Sequence, residues 1–169
     1  AAYLAFKREF EATRKKLPLG IAIIGKAFRN EISPRQLFFR LREFTQAELQ
    51  IFFDPDEIDK VDEKEWKAIA KYKLVLLPQT QEKTQEVQEF SCEEANKKLK
   101  LPRFYVAHMA LVQKFYLEKL EIPKSKFRFR ELGENERAFY NKIHWDIELD
   151  LETLGGFKEV AGIHYRTNH

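Results

Sequence analysis

Five side chains within one short stretch, Arg29, Glu31, Arg40, Phe44 and Glu48, are of the types that could hold a ligand with an anionic end, a flat heterocycle and a cationic group. Guanidinium groups pair with phosphate oxygens, an aromatic ring offers a stacking face, and carboxylates pair with ammonium. A nucleoside triphosphate beside an amine meets all three demands. The competing reading of the same residues is an ordinary charged sheet surface.

Two elements must position them. Residues 22–31 are mostly apolar and β-compatible, and residues 38–53 form a long run rich in Phe, Leu and Arg. Between them, residues 32–36 contain Ser33-Pro34, where proline disfavours helix for the residue before it and removes a backbone donor. The expectation is strand, loop, strand. Side chains alternate along a strand, so Arg29 and Glu31 share one face, and Arg40, Arg42, Phe44, Gln46 and Glu48 share one face of the return strand. The ligand reading requires the guanidinium of Arg29 and the ring of Phe44 on the same side of the sheet.

The stretch Phe28-Arg29-Asn30-Glu31, a loop, then Arg40 to Phe44 resembles motif 2 of the class II aminoacyl-tRNA synthetases. With Ile32-Ser33-Pro34-Arg35 and Arg42-Glu43-Phe44-Thr45-Gln46-Ala47-Glu48 added, it is similar to the glycyl-tRNA synthetases of the archaeal and eukaryotic type. The similarity continues in residues 126–136 and 145–167, leaving about 56–100 outside it. Leu37 departs from the pattern, since the family has a glycine in that loop.

The resemblance implies an α+β fold, an antiparallel sheet with its active face open and helices behind, as part of a class II catalytic core. It implies that residues 1–169 are a partial catalytic domain with motif 2 at 28–48 and a variable insertion at about 56–100, while motif 1, motif 3 and the anticodon-binding domain lie outside the chain. It also implies roles. Arg29 would meet the α-phosphate of ATP, Glu31 the adenine amino group, Arg40 the outer phosphates and Phe44 the adenine face, with Glu48 and Glu159 on the ammonium of glycine. The reaction would be ATP-dependent activation of glycine and its transfer to tRNA(Gly), with Mg2+ accompanying ATP and a homodimer as the full-length enzyme. The chain alone is expected to be inactive or weak.

Composition fits a packed globule: 44% hydrophobic residues and 15 Phe argue against disorder. At 169 residues, length gives one domain. Thirty basic and 27 acidic residues nearly cancel, so the net charge of +3 permits nucleic-acid contact without arguing for it. A single cysteine, Cys92, allows no internal disulfide and fits a reducing compartment. No apolar run approaches the ~20 residues needed to cross a bilayer, and a cytoplasmic protein is the default.

Elsewhere, residues 3–16 read as a helix with Leu4, Phe6, Phe10 and Leu17 as its apolar stripe. A charged helix or linker surrounds Trp66, 72–77 reads as a strand, and 80–90 as a further strand. The acidic spacing at Asp54, Asp56 and Asp59 lacks the Gly and closing Glu of a calcium loop. Residues 102–121 carry the clearest helical periodicity, with His108 near its apolar face as a structural residue. Strands are expected at 126–131 and 145–152, the second with a row of Asp146, Glu148, Asp150 and Glu152 that could bind a metal but reads better as a solvated face. Gly155-Gly156 then turns the chain into 157–165. By parity Glu159 would share the face of Phe157, Ala161 and Ile163, a carboxylate among apolar neighbours that needs a cation, either Arg166 or a lysine or a ligand.

Two rival classes share these features. One is a non-catalytic binding protein on the same fold, like the accessory subunit of the mitochondrial DNA polymerase, which resembles glycyl-tRNA synthetases. The other is a different class II synthetase.

Overall fold

In the computed structural model, residues 2–32 and 40–166 are described. They form two compact units, Ala1–Glu57 and Ile58–His169, where chain length had suggested one domain. Each is taken by itself.

The first unit is a helix and a hairpin. Helix α1 (Ala2–Ala12) is shorter than the expected 3–16 and ends before Arg14 and Lys15, both at positive φ. Strands β1 (Leu19–Phe28) and β2 (Glu43–Phe52) pair antiparallel, from Leu19 opposite Phe52 to Phe28 opposite Glu43. Helix and hairpin meet through rings: Phe6 lies 4.3 Å from Phe52, and Tyr3 meets Phe52 edge-on at 5.7 Å. Phe38 and Phe39, expected at the start of the return strand, lie outside the described residues, as do the Ser33-Pro34-Arg35 loop and Leu37. Residues 40–42 precede the strand rather than belonging to it.

The second unit is a five-stranded sheet in the order β4, β3, β5, β6, β7. These are β3 (Lys73–Leu77), β4 (Gln88–Ser91), β5 (Phe127–Glu131), β6 (Asn141–Leu151) and β7 (Gly156–Arg166). All neighbours are antiparallel except β3 and β5. The expected strand over 80–90 shrinks to β4, because 79–81 form a 3-10 turn and Gln85 adopts positive φ.

Helix α2 (Glu63–Ile69) surrounds Trp66 and is capped by Asp62, which accepts from the amides of Lys64 and Glu65. Helix α3 (Cys92–Lys98) opens with a capping box, in which Ser91 Oγ and Glu94 satisfy each other's free backbone amides. Helix α4 (Arg103–Lys114) is the one the periodicity marked, and it relaxes into a π-helical turn over Phe115–Lys119. Val106, Met109 and Ala110 pack with Phe127, Phe129, Trp145 and Ile147 in a core that excludes water. Gln113, buried in the same helix, accepts from the Val75 amide at 2.9 Å and donates to the Lys73 carbonyl at 2.8 Å, fastening α4 to β3. His108 is structural, its Nδ1 2.7 Å from the Phe104 carbonyl. Burial pushes the Cys92 thiol up to about 11, which leaves it a packing residue. Among the described residues, no helix is long and apolar enough to cross a membrane.

Candidate adenylate site

Alternation divides the hairpin into two faces. One carries Leu19, Ile21, Ile23, Gly25 and Ala27 from β1 against Phe44, Gln46, Glu48, Gln50 and Phe52 from β2. The aromatic contacts of α1 with Phe52 cover one end of this face, and half-buried Phe44 stands at the other.

Beyond β1 the pairing runs one step further, with the Arg29 amide donating to the Arg42 carbonyl at 2.9 Å. Arg29 thereby falls on the Phe44 face, and its guanidinium carbon sits 5.3 Å from the centre of the Phe44 ring. The required arrangement is met. Glu31 folds back, its amide donating to the Arg29 carbonyl at 2.9 Å, and its own carbonyl accepts from Arg42 Nε at 3.0 Å. Arg42 thus pins the exit of the first strand, a positioning role that alternation alone does not suggest. Arg40 is exposed just before β2.

Glu48 is half-buried and accepts a 2.6 Å bond from Gln50 Nε2. The Gln50 carbonyl oxygen accepts in turn from the Tyr3 hydroxyl at 3.2 Å. The helix therefore orients the carboxylate through one amide. Phe44 and Glu48 lie four residues apart on one face, about 13 Å at ~3.3 Å per residue. Along the register the order is Arg29, Phe44, Glu48, so guanidinium, ring and carboxylate follow one another along one face of the hairpin.

Glu159 belongs to the other unit, and its surroundings differ from expectation. Between Ile147, opposite Ala161, and Glu148, opposite Glu159, the register shifts by one residue, leaving Val160 as a bulge. Ala161 and Ile163 consequently face the core, while Glu159 and Phe157 turn to the face of Glu148 and Asp150. Glu159 is exposed rather than set among apolar residues. A second shift near Lys142 brings Asn141 to that same polar face.

This face is not the solvated one the sequence suggested. Arg128, Asp146 and Glu148 are 6%, 4% and 8% exposed, and their burial is possible because they pair. Glu148 binds Arg128 Nε through one oxygen at 2.7 Å and Arg130 Nε through the other at 3.2 Å. The Arg128 guanidinium also stacks 4.0 Å from the centre of the Phe157 ring. Arg130 reaches Glu82 at 2.8 Å and Glu136 at 3.2 Å. Burial opposes the Arg130 charge, yet Glu136, Glu148 and Asp146 carry its pKa above the ordinary value. The hydrogen bond from Arg130 holds the Glu136 carboxyl below its own.

At the other end of the face, the rings of His144 and His164 lie 3.9 Å apart, tilted by 47°, and the Asn141 side-chain nitrogen lies 3.3 Å from Nδ1 of each. Burial, with His144 and Arg166 adding to it, lowers the His164 pKa to about 4. Among the described residues, no group of three or more His, Cys, Asp or Glu is arranged to hold a metal ion. Asp54 and Asp59 instead accept backbone amides, from Asp56 at 2.9 Å and Arg103 at 3.1 Å.

Comparison with known proteins agrees with the geometry. The sequence profile of the tRNA synthetase class II core domain (G, H, P, S and T) matches residues 1–169. The chain belongs to this family. Among individual relatives, the glycine-tRNA ligase of Pyrococcus abyssi is 42% identical over 168 residues and that of Pyrococcus horikoshii 41% over 169. The glycine-tRNA ligase of Thermococcus kodakarensis is 40% identical over 168 residues. Each alignment takes in 99% of this chain and 29% of the relative. The chain thus spans under a third of the length of these class II synthetases. The α+β architecture, with helices behind a largely antiparallel sheet, fits the family core.

Proposed function

We propose that this chain is part of the catalytic domain of a glycine-tRNA ligase, which activates glycine with ATP as glycyl-adenylate and transfers it to tRNA(Gly). The observation that carries the reading is the placement of the Arg29 guanidinium over the Phe44 ring on the hairpin face that also bears Glu48.

Activation is an in-line attack of the glycine carboxylate on the α-phosphate, which forms the acyl-phosphate bond as pyrophosphate leaves. No side-chain nucleophile takes part, so alignment and charge stabilisation carry the rate. Arg29 neutralises the α-phosphate as charge builds there, Phe44 stacks on adenine, Glu31 meets its amino group, and Arg40 reaches the outer phosphates. Glu48, held by Gln50, takes the glycine ammonium; a role for Glu159 rests on the family resemblance alone. Mg2+ enters as the counter-ion of ATP. The partial-domain reading of residues 1–169, with motif 2 at 28–48 and an insertion at about 56–100, belongs to this proposal, as do a homodimer and a cytoplasmic setting.

The accessory-protein alternative is disfavoured by the retention of Arg29, Glu31, Arg40, Phe44 and Glu48 together. A module freed from ATP has no physical reason to keep them in register. The test is ATP-pyrophosphate exchange by the intact protein with each amino acid in turn. Exchange with glycine is expected; exchange with another amino acid alone would make it a different class II synthetase, and no exchange together with no ATP binding would favour the accessory role.

A further inference from the structure

Glycine inside a strand weakens it relative to alanine, so each such residue calls for a cause. Most glycines here have one. Gly155 and Gly156 turn the chain at φ of 76° and 106°. A Cβ on Gly133 would stand 2.1 Å from Gln79 Nε2, and one on Gly162 2.7 Å from His164 Nε2. Gly25 has neither cause. Its φ lies outside the left-handed region, and among the described residues no atom stands within 4 Å of where its Cβ would be.

Its place in the register is informative. Gly25 is opposite Gln46, with Ile23 opposite Glu48 on one side and Ala27 opposite Phe44 on the other. Along this face β1 reads Leu19, Ile21, Ile23, then Gly25 and Ala27 before Arg29. Large side chains thus stop at Ile23, and the strand lies nearly bare for two steps, about 13 Å from Ile23 to Ala27 at ~3.3 Å per residue. That bare length runs alongside the span from Phe44 to Glu48. A glycine with open space above it is what a strand needs where a ligand approaches its backbone.

We propose that Gly25 is a positioning and specificity-determining residue for the adenylate: the space left by its absent side chain receives the junction between the glycyl group and the α-phosphate. This rests on the adenylate reading above. With the ring held at Phe44 and the ammonium at Glu48, the acyl-phosphate junction falls between them, over Gly25. A side chain here lifts that junction away from Arg29 without disturbing the hairpin, because among the described residues no atom stands within 4 Å of its Cβ and β-branched residues suit strands.

The experiment substitutes Gly25→Ala and Gly25→Val in the intact protein, beside Arg29→Ala and Glu48→Gln. It reads thermal unfolding, ATP binding by calorimetry, and KM and kcat for glycine in ATP-pyrophosphate exchange. Gly25→Val is expected to melt no lower than the unaltered protein, to bind ATP within threefold of it, and to lose about 100-fold or more in kcat/KM for glycine. Gly25→Ala is expected to lose about tenfold. Full exchange by a folded Gly25→Val protein, with Arg29→Ala and Glu48→Gln inactive, overturns the inference and leaves the adenylate reading standing. Full exchange by Arg29→Ala and Glu48→Gln defeats the adenylate reading itself. A Gly25→Ala protein that fails to fold also overturns the inference, since the bare position would then serve packing.

Discussion

The guanidinium carbon of Arg29 lies 5.3 Å from the centre of the Phe44 ring, across the end of the β1 and β2 pair. An exposed cation-π contact of this kind contributes only about 0.5–1 kcal/mol. A phosphate and a nucleobase could each displace it at little cost, so under the proposed function the contact preorganises the two groups.

Replacing either partner should therefore injure binding and chemistry rather than folding. Phe44→Ala is expected to raise the KM for ATP about tenfold, the loss of one stacking contact of about 1–1.5 kcal/mol. Arg29→Lys keeps the charge but loses the planar fork, and kcat for exchange should fall about 100-fold, with unfolding temperature unchanged. Steady-state ATP-pyrophosphate exchange on the intact protein checks both.

The Tyr3 hydroxyl bonds Gln50, which bonds Glu48, so under the proposed function helix α1 supports the amino-acid seat. Gln50→Leu removes the 2.6 Å donor to the carboxylate and leaves its charge intact. The KM for glycine is expected to rise about tenfold while that for ATP holds, the energy of one charge-assisted bond. Tyr3→Phe, one step further out, should have a smaller effect in the same direction. Equal changes in both KM values would show that Gln50 merely supports the hairpin.

Glu148 holds two guanidinium groups at once, so its neutralisation should be costly. Glu148→Gln leaves Arg128 buried beside a neutral partner, and a loss of about 3–5 kcal/mol is expected from urea unfolding. Arg128→Met combined with Glu148→Leu removes both charges and should recover most of that loss. A double variant as unstable as the single one would mean that packing against Phe157, rather than charge, sets the energy.

Acid should weaken the unit spanning 58–169 in two steps. His164 binds protons less readily folded, at about 4, than at its ordinary 6.5, so its contribution is full above 6.5 and is lost as pH falls toward 4. The side-chain bond from Lys98, joined by Ser91, holds Glu94 down to about 2, so its contribution is present above 4.5 and is lost as pH falls toward 2. Melting curves between pH 7 and pH 2 should flatten in the upper step for His164→Asn and in the lower step for Glu94→Gln.

Much of the hairpin was legible because alternation acts locally. The strand spans shifted by a few residues, but Phe44 and Glu48 kept their shared face, and Arg29 joined it through the Arg42 carbonyl. Helix α4 was legible for the same reason, as its apolar repeat extends over several turns. The second sheet was read less well. Arg128, Asp146 and Glu148 looked solvated because charge in an alternating strand ordinarily faces water, and the pairing of Arg128 with Glu148 and of Arg130 with Asp146 depends on register across β5 and β6. Glu159 was misplaced because parity counts residues and cannot detect an unpaired one. Its local sequence, Lys158-Glu159-Val160, carries no glycine or proline to mark the bulge.

Val160 is a spare residue between two layers. Its removal would make Glu159 the direct neighbour of Ala161, and plain alternation would then keep Phe157 and Glu159 with the ionic layer and Ala161 and Ile163 with the greasy one. Flattening the strand with Val160 retained would instead put Glu159 on the face of Ala161 and mix the two. A single-codon deletion here is thus expected to be milder than a deletion elsewhere in the strand, which would shift the faces against each other.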